Sequence, residues 1–179
     1  MEVPHFEHVD SSCIQARFSS CKLHRATLLI PFKGRAEGKR LCIVGQNPSA
    51  ANEHHADKTI QFLERYVYEK LPEYNQILML NLYSRIDTKK AEPSEINHDE
   101  CEALLYEAIA SHTEFLFVFG QLKNQRAYKF PQRVRELQPL FMGKTIYKLD
   151  IQTAYAPHPG NRAIHYHNTN LALAPYAFS

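Results

Sequence analysis

The chain has 179 residues, 44% of them hydrophobic, and a formal net charge of +2. That length suits one domain with its own core, and the weak positive charge permits nucleic-acid binding through a local patch without demanding it. No apolar run approaches the roughly 18 residues of a membrane span and the N-terminus does not read as a signal peptide, so a soluble, cytoplasmic chain without a membrane partner is expected. The cysteines Cys13, Cys21, Cys42 and Cys101 form no Cys-x-x-Cys pair, which argues against zinc or an iron–sulfur cluster. Cys42 lies in an apolar run and reads as a core residue, and a reducing compartment suits the set.

In chain order, residues 26–31 read as a short strand and 33–40 as a polar, glycine-punctuated turn. Residues 41–44 (Leu-Cys-Ile-Val) form a continuous apolar run, as expected of a strand buried on both faces. These two strands are expected to pair antiparallel. The pattern then alternates. A helix is predicted over 58–70, with Ile60, Phe62, Leu63 and Val67 on its apolar face and Pro72 beyond its end. A second buried strand follows at 77–80. The next helix runs from 94 or 98 to 110, with Ser94 or Asn97 as cap. A third buried strand spans 115–119. A further helix is expected over 121–137, kinked near Pro131. Residues 145–156 hold a last strand or strand pair. Strand–helix repetition with two-sided apolar strands predicts an α/β fold with three α/β/α layers and a central, mainly parallel four-stranded sheet. The expected organisation is a single domain over 1–179, in which 1–40 form an N-terminal extension carrying an edge strand.

In an open α/β sheet, ligands bind outside the carboxyl ends of the strands. Gly45-Gln46-Asn47-Pro48-Ser49 follows the first buried strand, and Asn81-Leu82-Tyr83-Ser84-Arg85 follows the second. Gly120-Gln121 follows the third, and His158-Pro159-Gly160-Asn161-Arg162 the last. Each segment alone is an ordinary turn. Their recurrence in this order at strand ends is what points to a site.

That order resembles the uracil-DNA glycosylase superfamily, over roughly Leu41 to Arg162. Gly45-Gln46-Asn47-Pro48 is similar to its first motif, closest to the mismatch-specific Gly-x-Asn-Pro branch. Leu78-Met79-Leu80-Asn81 is similar to the second, and His158-Pro159-Gly160 to the last. The chain also resembles a bacterial and phage family of unassigned function marked by Asn-Pro-Ser-x-Ala, Asp-x-Thr and Asn-Leu-aromatic, supplied here by residues 47–51, 57–59 and 81–83.

The first resemblance implies a uracil-DNA glycosylase-like fold and a monomeric DNA glycosylase without metal or cofactor. It would flip out a modified base and hydrolyse its bond to the sugar, leaving an abasic site. Asn47 and His158 would be catalytic, Asn47 positioning water and His158 donating to the pyrimidine oxygen where charge develops. Gly45, Gln46, Ser49, Asn81, Phe62 and Asp57 would surround the base; Asn81 offers the donor and acceptor that read a pyrimidine edge. Because a neutral amide takes up protons poorly, Glu53 or Asp57 is a candidate for the missing carboxylate. Ser49 stands where the uracil-specific branch has a Tyr that excludes 5-substituents, so a larger, 5-substituted pyrimidine is expected. Gly160, Asn161, Arg162 and Arg85 would contact DNA, with Lys89, Lys90, Lys123 and Arg126 as further basic candidates. Repair and defence against phages with modified genomes are the two expected roles. Alternatives are a catalytically weak nucleotide- or nucleic-acid-binding module on the same fold, or a small-molecule hydrolase. Absence of a Gly-x-Ser-x-Gly elbow and of a Walker loop counts against the last. His54-His55 and His165-x-His167 lack a third ligand and read as surface histidines.

Overall fold

A computed structural model describes residues 2–86 and 92–178; Lys89 and Lys90 lie outside the described residues. Nine strands are described: β1 (Glu2–Val3), β2 (Gln15–Phe18), β3 (Arg25–Pro31), β4 (Lys39–Gly45), β5 (Ala56–Asp57), β6 (Tyr74–Asn81), β7 (Glu114–Phe117), β8 (Thr145–Leu149) and β9 (Leu173–Pro175). The α-helices are α1 (Lys58–Lys70), α2 (Asp99–Ser111) and α3 (Phe130–Leu137). The fold is α/β, with a mixed seven-stranded sheet in the order β2-β3-β6-β4-β7-β8-β9. β4 pairs in parallel with β6 and β7, and β8 with β7. β2–β3, β3–β6 and β8–β9 pair antiparallel, and β1–β5 form a separate antiparallel pair.

Side-chain alternation along the strands explains why both faces are covered. Leu41 and Ile43 of β4, Ile77 and Met79 of β6 and Leu116 of β7 share one core with Ile60, Leu63 and Val67 of α1. The intervening Cys42, Val44, Leu78, Leu80, Phe115 and Phe117 share the other with Leu105 and Ile109 of α2 and Val134 and Leu137 of α3. Each fully buried aliphatic side chain of this kind contributes roughly 1.5–3 kcal/mol. α1 has the expected bounds because Asp57 Oδ1 accepts from Ile60 N at 2.8 Å, capping its first turn.

Three expectations need correcting. β3 and β4 are not hydrogen-bonded neighbours, because β6 lies between them; its central residues are apolar on both faces and fill the middle of the sheet. β3 is therefore one strand in from the edge, which β2 forms. Residues 121–129 are not helical, and Pro131 sits in the first turn of α3 rather than kinking a longer helix, a position where its missing N–H costs nothing. Neither Ser94 nor Asn97 caps α2: the cap position is His98, and Asn97 Oδ1 accepts from Ser84 N at 3.0 Å. β1, β2, β5 and β9 were not among the predicted elements.

The N-terminal segment is strapped across α1. The rings and amides of this strap meet a buried acid: His5 Nδ1 donates to Glu64 Oε1 at 2.5 Å and Phe6 N to Glu64 Oε2 at 2.8 Å. His5 Nε2 donates to the carbonyl of Asn52 at 2.9 Å. Nε2 therefore carries a proton, and the raised His5 pKa favours the charged ring, beside a carboxyl that burial pushes up and His5 pulls down. Burial disfavours that charge, but the hydrogen bond and charge of Glu64 outweigh it and raise the His5 pKa.

Candidate functional site

The parallel strands β4, β6 and β7 end on one edge of the sheet, and their exits are tied together. Leu82 N donates to Gly45 O at 2.9 Å, Val118 N to Val44 O at 3.0 Å, and the Gln46 side-chain amide to Phe119 O at 2.6 Å. Above these exits opens a cleft of about 480 Å³. It gathers Asn47 and Ser49 from after β4, Asn81 from the end of β6, Gly120 from after β7, and His158 from the loop after β8. Gly45, Gln46, Asp57 and Thr59 complete that wall. Residues remote in the chain thus share one concavity because the strands that carry them are adjacent.

Two glycines let the polar groups approach. A β-carbon at Gly45 would lie 3.0 Å from Asn81 Nδ2. Gly120 has φ +74°, a left-handed conformation suited to glycine, and its N–H donates to Ala156 O at 2.7 Å. It holds the β7 exit against the backbone that leads into His158.

The His158 ring is oriented at both nitrogens. Gly160 N–H donates to Nδ1 at 3.0 Å, so that nitrogen is an acceptor. In the neutral ring the proton is therefore on Nε2, which lies 3.3 Å from Thr59 Oγ1. Burial lowers the His158 pKa, with the charge of Asp57 opposing, so the neutral ring is the form present near pH 7. Asn47 leaves its buried Nδ2 without a hydrogen-bond partner, an arrangement that costs about 1–3 kcal/mol unless something in the cleft accepts from it. Asn81 is 8% exposed.

Of the two carboxylate candidates, Asp57 lines the cleft while capping α1. Glu53 does not: its Oε1 accepts from Ala16 N at 2.9 Å, drawing it towards β2. Phe62 is also removed from the site. It is 3% exposed and stacks on Tyr66 in the core beneath α1, because its place on the helix faces the sheet.

Gly160, Asn161, Arg162 and Arg85 do not line the cleft. The first three form a tight turn just after His158, with Asn161 N donating to His158 O at 2.8 Å and Asn161 Nδ2 to Tyr155 Oη at 3.1 Å. Gly160 and Arg162 are exposed, as are Lys123 and Arg126. Arg85 is half-buried and bridges to His24. Among the described residues, no group of three His, Cys, Asp or Glu side chains is placed to hold a metal ion, and no helix is long and apolar enough to cross a membrane.

The cleft also holds residues the sequence reading did not single out: Arg25, Ile86 and Gln125. Arg25 is 2% exposed, and its Nη1 donates to the carbonyls of Ala51 at 2.7 Å and Ser49 at 3.4 Å. Burial lowers its pKa to about 10, with Asp57 opposing, which still leaves it charged at pH 7.

Fold and site together define an α/β protein with a polar cleft at its strand ends. Residues 28–159 match the family described as "Protein of unknown function (DUF1643)", and the chain belongs to that family. No curated protein and no solved structure matches it.

Proposed function

We propose that this protein is a DNA glycosylase that removes a modified, 5-substituted pyrimidine, and that its fold is of the uracil-DNA glycosylase kind, with β6, β4, β7 and β8 as the parallel centre of three layers. One observation carries the reading: Asn47, Asn81 and His158, from three different strand exits, line a single cleft. The order of the motifs along the chain supports it.

In the proposed reaction the target base leaves the stack and enters the cleft. The C1′–N bond breaks with its electron pair going to the base, and positive charge develops on the sugar. His158 Nε2–H donates to the pyrimidine oxygen that gains negative charge, and the unpartnered Nδ2 of Asn47 is a second donor nearby. The Asn47 side-chain oxygen orients a water whose oxygen forms the new C1′–O bond. Asp57, the one carboxylate among the described residues lining the cleft, offsets the charge on the sugar and accepts the proton the water loses. Asn81 reads the base edge. DNA is the partner, with exposed Arg162, Lys123 and Arg126 as its basic contacts; four free cysteines fit a reducing compartment.

The test is incubation with oligonucleotides and phage genomes carrying modified pyrimidines, followed by alkaline cleavage to reveal abasic sites. Asn47→Ala should abolish base release while DNA affinity stays largely intact, since its contacts, to the water and to the departing base, act at the reacting centre. Full release by Asn47→Ala rules out this assignment. Binding of DNA by the wild type with no abasic product on any substrate favours a binding module on the same fold.

A further inference from the structure

Arg25 is a charged side chain buried at the wall of the cleft, and nothing in the proposed base chemistry uses it. Its Nη1 is held by two neutral backbone carbonyls, Ser49 O and Ala51 O, which orient the guanidinium without neutralising it. Its Nε is buried and has no hydrogen-bond partner. Among the described residues no carboxylate lies within ion-pair distance of it; Asp57 acts on it only at longer range, and one Asp57 oxygen is engaged by the α1 cap. A buried guanidinium in this condition is costly unless a ligand supplies the acceptor.

Its place is informative as well. Arg25 bonds the carbonyl of Ser49 itself, the cleft residue whose small side chain, on the proposed reading, leaves room beside the pyrimidine 5-position. Asn47, which lines the same cleft, has a second buried donor without a partner at Nδ2. Arg25 and Asn47 thus bring unmet donors and one fixed positive charge to the lining of the cleft, a combination suited to a planar oxyanion.

We propose that Arg25 recognises an oxyanion on the ligand, and that the cleft selects pyrimidines bearing one, with a carboxylate at the 5-position as the group that fits beside Ser49. This inference rests on the reading of the cleft as a pyrimidine site and deepens it by naming the substituent. The same chemistry would arise from the phosphate of a bound nucleotide, so the experiment separates the two sources.

Calorimetric binding to the whole protein is measured with four probes: 5-carboxyuracil against thymine, and dUMP against deoxyuridine. A charge-assisted pair at a buried guanidinium should favour the oxyanionic probe of a pair by roughly ten- to a hundredfold. Preference for 5-carboxyuracil over thymine locates the oxyanion on the base. Preference only for dUMP over deoxyuridine keeps the oxyanion but overturns its placement at the 5-position. Arg25→Gln should erase whichever preference the wild type shows, and Arg25→Lys, which keeps the charge and loses the fork, should retain a weaker one. Equal binding within both pairs by the wild type, or an undiminished preference in a folded Arg25→Gln, overturns the proposal. If neither variant folds, the wild-type comparison decides. Base release is read separately by abasic-site formation, so oxyanion preference without product refutes the glycosylase alone, and product without preference refutes the role of Arg25 alone.

Discussion

His5→Ala should unfold this protein far more readily than loss of one residue near a terminus ordinarily does. Glu64 is 0% exposed on its side chain and the His5 ring 5%, so the variant leaves a carboxylate with no counter-charge inside the core. It keeps only the Phe6 N–H bond to Oε2 at 2.8 Å. Removing one partner of a buried ion pair costs about 3–5 kcal/mol. For a chain of this size each kcal/mol moves the melting temperature by about 2–4 °C, so the expected fall is roughly 6–20 °C. His5→Ala combined with Glu64→Gln should recover part of the loss, because the unpaired charge is gone. The pH dependence has a definite sign. The folded His5 pKa is raised, so its contribution is fully present below about 6.5 and is lost as pH rises through the folded value. The stability difference between wild type and His5→Ala should therefore shrink from pH 6 towards pH 9 in urea titrations. A loss under about 1 kcal/mol, or a difference that does not vary with pH, refutes the charged pair.

Two further outcomes test the cleft. Ser49→Tyr should cut base release from 5-substituted pyrimidines at least tenfold more than from uracil, since overpacking a rigid site costs about 1–3 kcal/mol; matched duplexes differing at one base make the comparison, and equal effects on both refute the pocket-size argument. The lowered His158 pKa should keep base release steady as pH falls through about 6.5, with the decline setting in only below that value. A decline with its midpoint at or above 6.5 would refute the lowered pKa, and release that rises as pH falls would show that the charged ring, not the neutral one, is the active form.

What the sequence made legible was set by how local the signal is. The apolar runs at 41–44, 77–80 and 115–119 locate β4, β6 and β7, and the periodicity over 58–70 gives α1 its bounds. Asn47, Ser49, Asn81 and His158 were found because a strand exit is a place that can be read from a single run. Phe62 carried two readings, the apolar face of α1 and a base-stacking ring; the helical period supports the first, and the structure buries Phe62 in the core with Ile60, Leu63 and Val67. Arg25 was missed although its signal exists. A strand antiparallel to the parallel set begins where the others end, so an arginine at the start of β3 arrives at the edge that carries the site. Seeing this requires β3 to be recognised as antiparallel to β6, its actual neighbour, and that pairing is long-range. β9 and the short β1–β5 pair carry too few residues to show a period at all.

The ties between strand exits have a thermodynamic consequence. Arg25 and His158 stand near opposite ends of the chain, and the cleft between them exists only once β3, β6, β4 and β7 have all paired. A ligand of the cleft therefore binds the native state and finds nothing equivalent in the unfolded chain. Every such ligand then stabilises the fold by mass action, by about 2.7 kcal/mol at a concentration a hundredfold above its dissociation constant. Melting temperature becomes a gauge of occupancy, and the fold's own stability reports which compound the strand ends were built to hold.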